Sequence, residues 1–360
     1  MAGNAPRRQE SLPAIFCLEE NRDEVVAFLD SLRSRFALNS KIRSFPRRPG
    51  RVRKIGKYFD FSAIKNITPA AALVLAAEYD RAHLRQLASV MVRASHAGKN
   101  IDPDAYRLSL IDIDRWSPQV VRTLGQLGFF QLLDFEEFVP EVPERDEYIL
   151  EFVSGNNVDS EATAELTTKL RELLTKLQIP NEEIAVHLQG RIIDAIQNVR
   201  DHAYPHNISW RYPPIGRWWL TASVDAIENR LDLIVYDQGI TIPGSIPISP
   251  KRALITSAFR KIFNLEEDFT NSKYDGKAIK AAIETGQSGT DKEYRGRGLI
   301  FMRDLVNFCD RGELRILSRF GAYLYRSDGV DEEWFHETSI GGTLIEWRLY
   351  LDGGQREGVS

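Results

Sequence analysis

Apolar residues recur along the chain with two periods, one helical and one alternating, and the switches between them mark out the elements. Val25, Val26, Phe28, Leu29 and Leu32 form a helical stripe behind Asn21 or Asp23, either of which can cap it. Residues 58–61 and 108–113 read as short strands. Pro69 can start an Ala-rich helix over 69–79, and Ser117-Pro118 caps another that runs to Leu127. Strands alternating with helices in this way predict an α/β layer over residues 56–135. Residues 160–177 form a second helical region, Pro180 breaks it, and a helix follows over 181–203. Strand patterns appear at 218–224, 231–236 and 313–318, with amphipathic segments at 254–263 and 278–284 before the last of them. A strand pair at 314–317 and 322–325 closes on a final apolar strand over 344–351. No internal repeat interrupts the pattern.

Length and composition agree with this division. A chain of 360 residues, 43% hydrophobic and 27% charged, suits two globular domains. The longest apolar runs, such as 70–77, fall far short of the ~20 residues a membrane-spanning helix needs. The first 13 residues lack an apolar signal core. A soluble, cytoplasmic protein with no membrane partner is expected. Cys17 and Cys309 are the two cysteines, too few for a disulfide framework or a Cys-based zinc site. The formal net charge of −4 conceals two opposite tracts. Residues 41–57 carry eight basic side chains and no acidic one, which reads as a solvated connector or as a nucleic-acid-binding segment. Aromatic residues for base stacking are scarce there, with Phe45 and Tyr58 nearby, so the connector is favoured. Residues 134–151 carry eight carboxylates against Arg145, with Pro140 and Pro143 inside, a composition suited to an interdomain linker. The expected organisation is an N-terminal helix and basic connector (1–55), an α/β domain (56–135), an acidic linker (136–154), a second α/β domain (155–351) and a tail (352–360).

Candidate chemistry concentrates in the second domain. On the helix over 181–203, Ile192, Ala195, Ile196, Val199 and Ala203 face a core, while Asp194, Asn198 and Asp201 or His202 line another face. Oxygen-bearing side chains four residues apart converge, which suits Mg²⁺ shared with phosphates; a solvated polar face is the alternative. Asp237-Gln238-Gly239 ends the strand over 231–236, where the carboxylate can accept from an adenine amino group beside a glycine open to a flat ligand. The same residues also suit an ordinary turn. Arg295-Gly296-Arg297-Gly298-Leu299 opens a helix running to Asn307, and its free N–H groups and two arginines suit polyphosphate. Gly341-Gly342-Thr343 precedes the last strand and offers a hydroxyl at a close backbone approach. Neither a Gly-x-x-x-x-Gly-Lys-Ser/Thr loop nor a His-Glu-x-x-His helix occurs.

The order and spacing of these four motifs resemble the GHKL ATPase domain, or Bergerat fold, over residues 155–351. Tyr236-Asp237-Gln238-Gly239 with Ile242-Pro243, followed by Arg295 to Leu299, carries most of the likeness. The stretch Asn198-Val199-Arg200-Asp201-His202-Ala203-Tyr204-Pro205 looks like the first box of the anti-sigma-factor kinases. Phe59-Asp60-Phe61-Ser62, Ile67-Thr68-Pro69-Ala70-Ala71-Ala72-Leu73 and Leu124-Gly125-Gln126-Leu127-Gly128-Phe129 resemble a STAS domain. The resemblance implies an α/β sandwich whose mixed sheet carries helices on one face, behind a smaller STAS-like α/β domain. It implies ATP and Mg²⁺ as ligands, with Asn198 on the metal, Asp237 on adenine, Gly239 making room for the ring and Thr343 supporting the adenine end. Gly296 and Gly298 would contact phosphates, His202, Ile242, Arg295, Arg297 and Leu299 would complete the nucleotide site, and residues 244–294 would form an ATP lid.

Three departures bear on what the resemblance implies. Asp194 stands where hydrolysing and kinase members place a Glu base, one methylene shorter in reach. Thr241 replaces the second glycine of the Asp-x-Gly-x-Gly box, and Thr68-Pro69 replaces the Asp-Ser pair of STAS phosphorylation switches, which leaves a docking or scaffold role for that domain. The expected function is an ATP- and Mg²⁺-binding switch with slow ATPase activity, partnered by a STAS-type protein or by a second copy in a homodimer. The alternative is a Ser/Thr protein kinase of the partner-switching type acting on a separate STAS protein. Sensor histidine kinase activity is disfavoured, because His187 lies on the nucleotide helix itself. A third reading is a scaffold with a degenerate pocket that binds nucleic acid through residues 41–57.

Overall fold

The computed structural model describes residues 12–41, 58–59, 61–97, 109–110, 113–133, 147–156, 168–175, 182–266, 269–285, 298–309 and 311–351. The chain divides into two compact units, one comprising Met1–Gly125 with Phe130–Val142 and the other Gln126–Phe129 with Pro143–Ser360.

The first unit contains β1 (Ile15–Phe16), α1 (Arg22–Lys41), β2 (Tyr58–Phe59), β3 (Asn66–Ile67), α2 (Pro69–Ala97), β4 (Ser109–Leu110), α3 (Pro118–Gln126) and α4 (Phe129–Leu132). β1 pairs with β3 and β2 with β4, both parallel. Parallel pairs need helical crossovers, and α1 and α2 supply them. Helix α2 outruns the predicted end at 79 because residues 80–97 contain no Pro or Gly to stop it. Its first two turns, Ala70 to Ala77, are buried on every side, as expected of a helix apolar all round. Helices α1 and α2 are joined by a charge triad in which Glu78, wholly buried, accepts from Arg33 Nε at 2.7 Å and from Arg81 Nη2.

The second unit is built on an eight-stranded sheet. Its strands are β5 (Glu147–Ile149), β6 (Val153–Gly155), β7 (Trp218–Asp225), β8 (Arg230–Asp237), β9 (Arg311–Ser318), β10 (Gly321–Arg326), β11 (Asp331–Phe335) and β12 (Thr343–Tyr350). The order is β11-β10-β9-β12-β8-β7-β5, with β6 also on β7. The mixed sheet that the resemblance implies is not what forms, since every pairing of this sheet among the described residues is antiparallel. β8 and β9, linked by a long helical crossover, do run the same way, but β12 inserts between them, antiparallel to both. Part of the stretch expected as an acidic linker also lies in this sheet: β5 and β6 pair with β7, and Leu150 N–H continues the edge to Ala222 C=O at 2.7 Å.

Alternation along the strands sends Leu220, Leu233, Trp347, Ile316 and Tyr323 to one face. Packed there are the helix over residues 168–175 (α5), α6 (Glu182–Asn198), α9 (Asp275–Thr285) and α10 (Gly298–Phe308). Trp347 Nε1 donates to Met302 C=O at 2.8 Å, tying the sheet to α10. Between β8 and β9 lie two further helices, α7 (Ile242–Ser245) and α8 (Arg252–Phe263). The other sheet face carries a charge ladder in cross-strand register: Asp232 with Arg348 at 3.2 Å, and Glu346 with Arg315. Burial pushes Asp232 up to about 6 against the pull of Arg348.

Candidate functional site

Four element ends meet where β8 finishes. The first is α6, on which Asp194 and Asn198 share a face one turn apart. Asp194 lies 3.0 Å from Arg191, and burial raises its pKa although Arg191 lowers it. Asn198 is half-buried, and its Nδ2 is shielded from solvent with no hydrogen-bond partner among the described residues. The predicted α-helix to 203 ends at Asn198 and gives way to a π-helical turn over Val199–Ala203. That wider i→i+5 turn takes Asp201 and His202 out of the register of Asp194 and Asn198. Both are exposed, and Asp201 accepts from Arg200 Nε at 2.6 Å. Of the residues expected to converge on this face, the structure brings together Asp194 and Asn198.

The π turn is fastened to the end of β8. Ile240 N–H donates to Ala203 C=O at 2.8 Å, and a Cβ on Gly239 would stand 2.5 Å from both Ala203 Cβ and Ala203 O. The glycine is therefore demanded by contact with Ala203. Tyr204 adds a second tie, its hydroxyl accepting from Gln238 N–H at 3.0 Å and donating to Arg217 C=O at 2.5 Å.

Asp237 is the last residue of β8 and stands in register with Thr343, the first of β12. The strands meet there because Gly342 has no side chain: a Cβ would come within 1.8 Å of Asp237 O. Asp237 is 6% exposed, and Oδ1 accepts from Gly239 N–H at 2.7 Å. Burial pushes its carboxyl up to about 7, opposed by that N–H. Thr343 is in register on its other side with Ser318, the last residue of β9, and the two hydroxyl oxygens are 2.8 Å apart. Ser318 Oγ also accepts from Ile242 N–H at 2.9 Å. A carboxylate and two hydroxyls thus stand side by side on three adjacent strands.

Thr241, just before α7, has φ 79° and ψ 160°, a region almost reserved for glycine. Thr241 Oγ1 accepts from Gly244 N–H at 3.2 Å and so caps α7. The segment expected to act as a lid is a helical unit over its described residues, in which Ile246, Ile255, Phe259, Phe269, Ala278 and Ala281 form their own apolar cluster. Gly298 and Leu299 begin α10. Arg295, Gly296 and Arg297 lie outside the described residues, as do residues 42–57 of the basic tract.

Sequence reasoning missed Ser318, Tyr204 and the pair Asp275–Arg319. Tyr204 does fall inside the quoted box, whereas Ser318 stands alone at the end of an apolar strand with no motif around it.

Among the described residues no helix is long and apolar enough to cross a membrane, and no group of three or more His, Cys, Asp or Glu side chains gathers to hold a metal. No protein-family model matches the chain, and no curated protein is significantly similar to it. The functional reading therefore stands on the residues and their geometry.

Proposed function

We propose that the second unit is a GHKL-type ATP- and Mg²⁺-binding switch with slow ATPase activity. The observation that carries this reading is the buried, in-register pair of Asp237 and Thr343. Adenine offers an amino donor at N6 beside an acceptor at N1, and a carboxylate beside a hydroxyl complements that edge. Asp237 would accept from the amino group and Thr343 would donate to N1.

The donor set for the metal is slight but chemically suitable. Mg²⁺ commonly keeps several waters and takes phosphate oxygens, so one amide oxygen from Asn198 is a sufficient protein contribution. Bound ATP would supply a phosphoanhydride whose γ-phosphoryl group passes to water as ADP leaves. Asp194, one turn before Asn198, would hold that water and take its proton. The raised pKa makes it a better base than an exposed aspartate. The partner would be a STAS-type protein or a second copy of the chain.

Calorimetry with ATP and Mg²⁺ tests the reading. Binding by the intact protein, lost in Asp237→Asn, is expected; a protein that binds no adenine nucleotide, or an Asp237→Asn variant that binds as tightly as the parent, would refute it. Radiolabelled γ-phosphate then follows the reaction. Free phosphate released without a partner and lost in Asp194→Ala supports hydrolysis, while label on a STAS protein replaces it with kinase activity.

A further inference from the structure

Ser318 is wholly buried, and its hydrogen bonds can be counted. A hydroxyl has one proton to give and two lone pairs to receive. One lone pair takes Ile242 N–H at 2.9 Å. The other polar neighbour among the described residues is Thr343 Oγ1, at 2.8 Å. A buried O–H without an acceptor is costly, so the Ser318 proton goes to Thr343. Thr343 must then direct its own proton elsewhere, and no described residue accepts it. The backbone N–H of Ile242 can only donate, which anchors the direction of the whole chain: Ile242 N–H to Ser318, Ser318 O–H to Thr343, and Thr343 O–H outward beside Asp237. Thr241 holds the origin of the chain in place, since its φ of 79° turns the backbone into α7 and its hydroxyl caps that helix.

We infer that Ser318 is a positioning residue that locks Thr343 as a hydrogen-bond donor and so makes the site select adenine over purines protonated at N1. The inference rests on the nucleotide reading above and extends it to base specificity. Hypoxanthine differs from adenine by an oxo group at C6 and a proton on N1. Its N1–H would meet the locked Thr343 proton head-on. Without Ser318, Thr343 is free to rotate and accept from N1–H.

The test is the ratio of affinities for ATP and ITP, each with Mg²⁺, in the full-length protein. The parent is expected to favour ATP by about 5- to 150-fold, the range given by about one to three kcal/mol of discrimination per base-reading pair. Ser318→Ala should lower that ratio about tenfold, mainly through tighter ITP binding, and Ser318→Thr should restore it. A loss of packing alone would weaken both nucleotides together and leave the ratio unchanged, which would overturn the inference while the nucleotide reading stands. If the parent binds neither nucleotide, both fail. Should Ser318→Ala not fold, Ser318→Val serves instead: it suits a strand and has no side-chain proton to give, and an unchanged ratio in that variant overturns the inference equally.

Discussion

Arg319, at the tip of the β9–β10 turn, donates through Nε to Asp275 Oδ2 at 2.7 Å and through Nη2 to Asp275 Oδ1, a two-pronged bond to the first residue of α9. Arg319 Nη2 also reaches Phe269 C=O at 2.8 Å, and Asp275 accepts Phe320 N–H at 3.0 Å. The same turn touches the start of β12, where Ile340 N–H donates to Arg319 C=O at 3.0 Å. One ion pair therefore fastens the α8–α9 unit to the sheet end that carries Ser318 and Thr343. Asp275→Ala leaves the guanidinium without its buried partner and should cost about 3 kcal/mol, read as a lower denaturation midpoint. Proteolysis should then begin within residues 246–285. A variant cleaved no faster than the parent would mean that the apolar cluster alone holds the unit.

Thr241 sets strain against capping, and two substitutions separate them. Thr241→Ala removes the bond to Gly244 N–H and keeps a side chain at φ 79°, so it should destabilise by about 1 kcal/mol. Thr241→Gly also removes the cap but releases backbone strain worth about 1–3 kcal/mol. The glycine variant should therefore unfold at higher denaturant than the alanine variant by a gap of about 2 kcal/mol. Equal stabilities would mean that surrounding contacts, and not the residue type, carry the unusual backbone.

The sequence made β7, β8, β9, β10 and β12 legible because each has a buried apolar face that writes a period into the chain. β5 and β6 have three residues each, too few to show a period, and owe their place to pairing with β7. β11 reads Asp-Glu-Glu-Trp-Phe, and its carboxylates are tolerated because Lys280 of α9 stands 3.3 Å from Asp331 and 3.8 Å from Glu333. The π turn leaves no mark either, since no Pro or Gly interrupts Val199 to Ala203. At the site, the motifs pointed to Asp237 and Thr343, yet neither spacing nor residue type revealed that they are cross-strand neighbours. That follows from register, and register also brings in Ser318.

In the first unit, Glu78 offsets two arginines, and its removal should be felt strongly. Glu78→Gln removes the carboxylate that Arg33 and Arg81 share in a buried site, an expected loss of about 3 kcal/mol. Replacing Glu78, Arg33 and Arg81 together with apolar residues of similar volume should recover most of that loss. Chemical denaturation of the three proteins checks the order parent, triple variant, single variant; a single variant as stable as the parent would show that water or another group takes over from the carboxylate.

Asp237 couples stability to binding with opposite signs. Its folded-state pKa of about 7 lies above the ordinary value of 3.8, because burial disfavours the charge. The folded protein thus holds this proton more tightly than the unfolded chain. The resulting stabilisation is complete below pH 3.8 and is lost as pH rises through about 7. Binding needs the opposite protonation state, for only the carboxylate is a pure acceptor for an adenine amino group. ATP affinity should therefore fall below pH 7, approaching about tenfold per pH unit, while the melting temperature of the ligand-free protein falls as pH rises from 5 to 8. Asp232, pushed up to about 6, and Asp194 add to the same stability slope, so the parent alone does not isolate Asp237. Asp237→Asn does. Its amide oxygen can still accept Gly239 N–H, no charge is buried, and the variant should melt above the parent at pH 8, match it near pH 4, and bind no ATP at either. Melting curves of both proteins at the two pH values read this difference directly, and a variant that melts below the parent at pH 8 would show that the buried charge is compensated.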